Sequence, residues 1–160
     1  MAALTDVQVK VLDPRIPGWG FPHYGSDLAA GLDLHACLHE PLRLAPGAPP
    51  VLVSSGLAVR IGQPGWFGLV VPRSGSGHRG LVLGNSVGVI DADYEGPVMI
   101  SAWNRNAGPD AAAIVVTPGE RIAQLVFVPM ARPRFEVVTD FAAASARGSG
   151  GFGSTDREIP

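Results

Sequence analysis

The chain has 160 residues, 46% hydrophobic and 16% charged, with a formal net charge of −2, a length that fits one domain able to bury about two thirds of its unfolded surface. Its 21 glycines and 15 prolines exclude a helical bundle or coiled coil, because each costs about 1 or 3 kcal/mol in a helix interior. A mean hydropathy of +0.23 argues against disorder, and the slightly acidic balance provides no basic field for a nucleic-acid polymer.

In chain order, the N-terminal MAALTDVQVKVLDPR has neither the charged start nor the long apolar stretch of a secretory signal. Together with the lack of an 18-residue apolar run, this predicts a soluble cytoplasmic protein that does not span a membrane. Val7, Val9 and Val11 alternate with Gln8 and Lys10, which predicts a first half-buried strand. The same pattern recurs as Leu32, Leu34 and Ala36 against Asp33, His35 and Cys37. His35 and His39 stand four apart around Cys37, which on an extended strand is about 13 Å, too far for shared metal ligation. That segment is therefore expected to be a partly exposed strand, with the single cysteine as a small packed residue. Leu57, Val59 and Ile61 predict a third strand.

Continuous apolar runs at 66–71, 98–103, 111–116 and 122–128 predict strands covered on both faces. Turn signals lie between them at Pro46-Gly47, Gln63-Pro64-Gly65, Asn106-Ala107-Gly108-Pro109 and Pro118-Gly119. Helix is expected only as a short turn within 74–81 and a second within 140–147. The expected fold is all-β, a jelly-roll-like β sandwich or barrel spanning 1–146, followed by a flexible glycine-rich arm, 147–160.

Two motif matches lack the context their chemistry needs. Gly84-Asn85-Ser86-Val87-Gly88 fits G-x-S-x-G, but a strand pattern follows it, and His23, His35, His39 and His78 all precede Ser86. Residues 148–153 fit G-x-G-x-x-G with only seven residues left, too few for a βαβ unit.

Other constellations suit chemistry better. Pro72-Arg73-Ser74-Gly75 joins a guanidinium, a hydroxyl and glycine-freed N–H groups at one turn, a set that suits phosphate oxygens. Asp91-Ala92-Asp93-Tyr94-Glu95-Gly96 places three carboxylates between two apolar runs. They are either a hairpin tip or include one carboxylate that polarises a water or holds a divalent metal. Gln124 shares a face with Ile122 and Val126 on alternation, so its amide needs core partners or a ligand. Arg147 and Phe152 in the glycine-rich tail suit a lid over an anionic aromatic ligand.

Read together, AGLDL (30–34), PRSG (72–75), GVIDADYEG (88–96), GERIAQLVF (119–127) and RGSGGFGST (147–155) resemble the five motifs of the trimeric dUTP diphosphatase (dUTPase) family. The resemblance spans 7–155 with motif order and approximate spacing kept. Departures are Ala30, where serine is frequent, and a 72–85 stretch one residue shorter than in many relatives. The resemblance implies a jelly-roll homotrimer with active sites at subunit interfaces, the C-terminal arm of one subunit closing a site of another. It also implies Mg2+-dependent hydrolysis of dUTP to dUMP and pyrophosphate, limiting uracil in DNA and supplying dUMP.

By motif position, Asp33 would reach the metal through water, and Arg73, Ser74 and Gly75 would hold phosphates. Asp91 would orient the attacking water. Asn85 and the backbone of Gly88, Val89 and Ile90 would read uracil, Tyr94 would stack on the sugar, and Met99 would line the nucleoside pocket. Gln124 would contact the α-phosphate and the water. In the arm, Arg147 would meet the γ-phosphate and Phe152 would stack on uracil. Gly153, Ser154 and Thr155 complete the substrate contacts. The alternatives are a dCTP deaminase, or bifunctional deaminase/diphosphatase, of the same fold, which PRSG and DADYEG fit less well, and a non-catalytic nucleotide-binding trimer, which would dispense with Asp91 or the arm.

Overall fold

Alternating apolar residues between proline–glycine turns form ten strands in the computed structural model, which describes residues 3–143, 145, 148 and 149. They are β1 (Gln8–Val11), β2 (Leu32–His35), β3 (Leu42–Leu44), β4 (Val51–Arg60), β5 (Trp66–Pro72), β6 (Leu81–Leu83), β7 (Gly88–Ile90), β8 (Pro97–Asn104), β9 (Ile114–Val116) and β10 (Arg121–Pro129). A short helix, α1 (Ser74–His78), follows β5. One sheet has the order β1-β4-β8-β6, a second β2-β10-β5-β7, and β3 pairs with β9. Every pairing is antiparallel. This is the jelly-roll sandwich expected.

The core lies between the four-stranded sheets. Val53, Leu57, Val98, Ile100 and Ala102 face it from one side and Leu32, Leu34, Val70 and Leu125 from the other, none more than 4% exposed. Burying each of the larger side chains contributes about 1.5–3 kcal/mol. Gly65 (φ +84°) in the β4–β5 turn and Gly119 (φ +77°) in the β9–β10 turn occupy the left-handed region that other residues avoid.

Five local expectations need correction. Asp33 and His35 do not face solvent: they are 4% and 2% exposed, because the segment before β2 and the Arg73 and Arg121 side chains cover that face. The 98–103 run is not covered on both sides, since Met99 is 40% exposed. The 111–116 run is a strand only at Ile114–Val116, with Val115 50% exposed. The acidic 91–96 segment is not a hairpin tip. β7 pairs with β5 while β8 pairs with β4 and β6, so the segment crosses from one sheet to the other. Finally, no helix forms among the described residues of 140–147.

Candidate active site

A buried carboxylate organises one end of the second sheet. Gln124 of β10 lies opposite Asp33 of β2 on one side and Val71 of β5 on the other, which sets Asp33, Gln124 and the chain leaving β5 side by side. A carboxylate removed from water needs charge partners. Asp33 has two: Arg73 Nε stands 2.8 Å from Oδ1, and Arg121 Nη1 stands 3.1 Å from Oδ2. His23 Nε2 is 3.9 Å from the same Oδ2. Arg73 Nη1 also donates to the Arg121 carbonyl at 3.3 Å, and Gln124 Nε2 donates to the Pro72 carbonyl at 3.5 Å.

A 370 Å3 cavity opens here, lined by Gly31, Asp33, Arg73, Ser74, Gly75 and Gln124. Gly31 makes room for the amide, since a Cβ there would lie 2.5 Å from Gln124 Oε1. Behind Asp33, burial pushes the His35 imidazole below its ordinary pKa. Its Nδ1 has no hydrogen-bond partner, and its ring lies 6.2 Å from that of Trp19. Burial, then Asp13, pushes the Cys37 thiol up, away from the reactive thiolate.

A separate 280 Å3 groove is lined by Asn85, Gly88, Val89, Ile90, Asp91, Tyr94 and Met99. Between β6 and β7 the chain turns through Ser86 (φ +62°), with Val87 N bonded to the Asn85 carbonyl at 2.7 Å. Tyr94 Oη donates to the Pro97 carbonyl at 3.0 Å, and its ring occupies the space that a side chain at Gly96 would need. The groove therefore combines an amide, exposed strand backbone, a phenol ring and one carboxylate, groups suited to a planar polar base and a sugar.

Within one chain the two sites lie well apart. Val70 lies opposite Gly88 and Gly68 opposite Ile90, so Asp91 stands level with Phe67, six residues along β5 from Arg73. At the rise of a strand that is about 20 Å. The structure brings Asp33, Arg73, Ser74, Gly75 and Gln124 together. It likewise gathers Asn85, Gly88, Val89, Ile90, Asp91, Tyr94 and Met99, but it does not join the two sets. Arg147, Phe152, Gly153, Ser154 and Thr155 lie outside the described residues.

The family model described as dUTPase matches residues 18–156. The chain belongs to the dUTPase family. The deoxyuridine 5'-triphosphate nucleotidohydrolase of Psychrobacter cryohalolentis is 52% identical over 156 residues, covering 95% of this chain and 98% of its own. That of Methylibium petroleiphilum is 54% identical over 153 residues, with 95% and 98% covered. Among solved structures, the Staphylococcus bacteriophage 80alpha dUTPase G164S mutant with dUpNHpp superposes with a TM-score of 0.77 at 28% identity, covering 94% and 98% of the two chains.

In this dUTPase-family chain, sequence reasoning missed Arg121 and the Arg79–Glu120 ion pair that ties the end of α1 to the β9–β10 turn. The signal that would have found Arg121 is the demand of a buried Asp33 for more than one cation. Glu120 also accepts from Thr117 N at 2.9 Å, closing the turn that aims β10. The donors also bear on the metal. Among the described residues no three His, Cys, Asp or Glu side chains converge on a cation site, and both Asp33 oxygens already meet guanidinium groups. A cation carried on nucleotide phosphates would therefore suit this donor set better than one held by side chains alone.

Proposed function

We propose that the chain hydrolyses dUTP to dUMP and pyrophosphate, which limits uracil in DNA and supplies dUMP. The observation that carries this is the cavity where Asp33 holds Arg73 beside Ser74, Gly75 and Gln124, a cationic and amide-lined space for phosphates. The relatives named as deoxyuridine 5'-triphosphate nucleotidohydrolases at 52% and 54% identity support dUTP as the nucleotide.

In this reading Asp91 polarises a water for in-line attack at the α-phosphorus, and Gln124 orients that water and the phosphate. Arg73, Ser74 and Gly75 hold the chain of phosphates, and Ser74 is a ligand rather than a nucleophile. Asn85 and the backbone of Gly88, Val89 and Ile90 read the uracil edge. Tyr94 packs against deoxyribose, leaving no room for a 2′-hydroxyl, with Met99 beside it. Mg2+ held by the phosphates and, through water, by Asp33 would offset charge on the leaving pyrophosphate.

The separation of about 20 Å between Asp91 and Arg73 along one strand pair leaves a single chain unable to hold both ends of one nucleotide. We therefore propose a homotrimer in which a second copy brings its Asp91 groove to this phosphate cavity. The 147–160 arm would be a separate unit beyond the 1–146 domain, closing the site with Arg147, Phe152, Gly153, Ser154 and Thr155. Among the described residues no helix is long and apolar enough to cross a membrane, and a cytoplasmic location belongs to this proposal.

Incubation with dUTP and Mg2+ should release pyrophosphate and dUMP. Release of ammonia from dCTP, with dUTP left intact, would overturn the reading in favour of a deaminase.

A further inference from the structure

Arg73 is held at two points, by the Asp33 carboxylate and by the backbone of Arg121, a residue to which the motif roles give no task. Its Nε meets Asp33 Oδ1 at 2.8 Å, and its Nη1 donates to the Arg121 carbonyl at 3.3 Å. The other Asp33 oxygen, Oδ2, is occupied by Arg121 Nη1 at 3.1 Å. Residue 121 thus acts on Arg73 twice, through its backbone directly and through its side chain by way of Asp33.

The backbone reason is a register break. Arg121 pairs with His35 and Ala123 with Leu34, so β10 carries an extra residue at its start. Such a bulge re-aims the carbonyl and side chain beside it. The Arg121 side chain is 41% exposed and that of Arg73 34%, whereas that of Asp33 is 6% exposed. Both guanidinium groups therefore reach outward from a shared buried anchor, Arg73 onto the phosphate cavity and Arg121 onto the lobe beside it. A 440 Å3 lobe lined by Arg73, Gly75, Arg79 and Arg121 adjoins the phosphate cavity through Arg73 and Gly75.

We propose that Arg121 is a positioning residue for phosphate binding: it occupies Asp33 Oδ2 so that Arg73 engages Asp33 through Nε alone and keeps its outer N–H groups for the nucleotide. Without the Arg121 side chain, the fork of Arg73 is free to close over both Asp33 oxygens in a bidentate pair, the geometry that guanidinium and carboxylate favour. The phosphate-facing donors would then turn inward. This inference rests on the dUTP reading above, and its test separates the two.

The affinities of dUMP and of the non-hydrolysable imido analogue of dUTP are measured for the wild type, Arg121→Gln, Arg121→Lys, Asp33→Asn and the Asp33→Asn/Arg121→Gln double variant, with thermal melting to verify folding. Arg121→Gln should lose about tenfold or more in analogue affinity, as expected when a charged hydrogen-bond network is broken. Its dUMP affinity should stay within about twofold, since a single phosphate forms few of the contacts that Arg73 supports. Arg121→Lys, which keeps one charged donor for Oδ2, should recover most of the loss. In the Asp33→Asn background the same Arg121→Gln change should add no more than about twofold, because the carboxylate that would capture Arg73 is gone.

Wild-type analogue affinity in a folded Arg121→Gln protein overturns the proposal, as does an equal loss for dUMP and analogue, or full additivity with Asp33→Asn. A wild-type protein that turns over no dUTP overturns the underlying reading, and this inference with it.

Discussion

Gly31 illustrates how a residue without a side chain can matter to catalysis. A methyl group there would meet Gln124 at Oε1 (2.5 Å) and Cδ (2.9 Å), the movable end of a half-buried side chain. Gly31→Ala should therefore leave melting temperature nearly unchanged while displacing the amide, and pyrophosphate release should fall about tenfold or more, as for a lost oriented donor. Unchanged turnover would remove Gln124 from the water-orienting role. Asp13 carries a different test. Side-chain and backbone hydrogen bonds from Arg15 hold its carboxyl well below the ordinary range. Because the folded pKa is the lower one, the stabilisation is complete above the ordinary carboxylate pKa of about 4 and is lost as pH falls through the folded value. The melting-temperature gap between wild type and Asp13→Asn should hold steady from pH 8 to 5 and narrow below about pH 4. Single residues were only partly legible in sequence. PRSG and Gln124 announced themselves by type, whereas Asp33 and His35 were misplaced, because alternation registers one strand's own faces and not the Trp19, Arg73 and Arg121 side chains that fold over them.

Among elements, Asn104 at the end of β8 joins parts that no sheet connects. Its Nδ2 donates to the carbonyls of Leu44 and Ala112, each at 3.0 Å, and its Oδ1 accepts from Asn106 N at 3.1 Å, with the residue 1% exposed. Asn104→Leu should cost roughly 2–4 kcal/mol in urea unfolding, because it strands the buried Leu44 carbonyl as well as losing bonds. A cost below about 0.5 kcal/mol would mean that water reaches this corner. Strand positions were readable because apolar period and turn residues act locally. Sheet membership was not. The 91–96 segment carries the composition of a hairpin tip, and only the pairing of β7 with β5 and of β8 with β4 and β6 makes it a bridge between sheets. The β10 bulge was equally hidden: nothing in Gly119-Glu120-Arg121-Ile122-Ala123 marks an extra residue until β2 supplies the register.

At the scale of the whole molecule, the proposed division of one active site between copies allows a genetic test in solution. Asp91→Asn and Arg73→Ala proteins should each be inactive. Unfolded together and refolded as a mixture, they should regain roughly a quarter of wild-type activity, since mixed cyclic trimers would hold one intact pairing each. No recovery, with mixed trimers demonstrated by mass, would place Asp91 and Arg73 in the service of different ligands. Family membership was legible from five short motifs in order, but not the distance between them in one chain, which depends on the antiparallel register of β5 and β7. That register has a consequence for how the enzyme responds to its surroundings. If nucleotide must touch two copies at once, it acts as a cross-link whose occupancy and the assembly equilibrium are linked by mass action. Dilution would silence isolated chains before they unfold, and rising substrate would draw them back together, so the nucleotide to be removed would also recruit the catalyst.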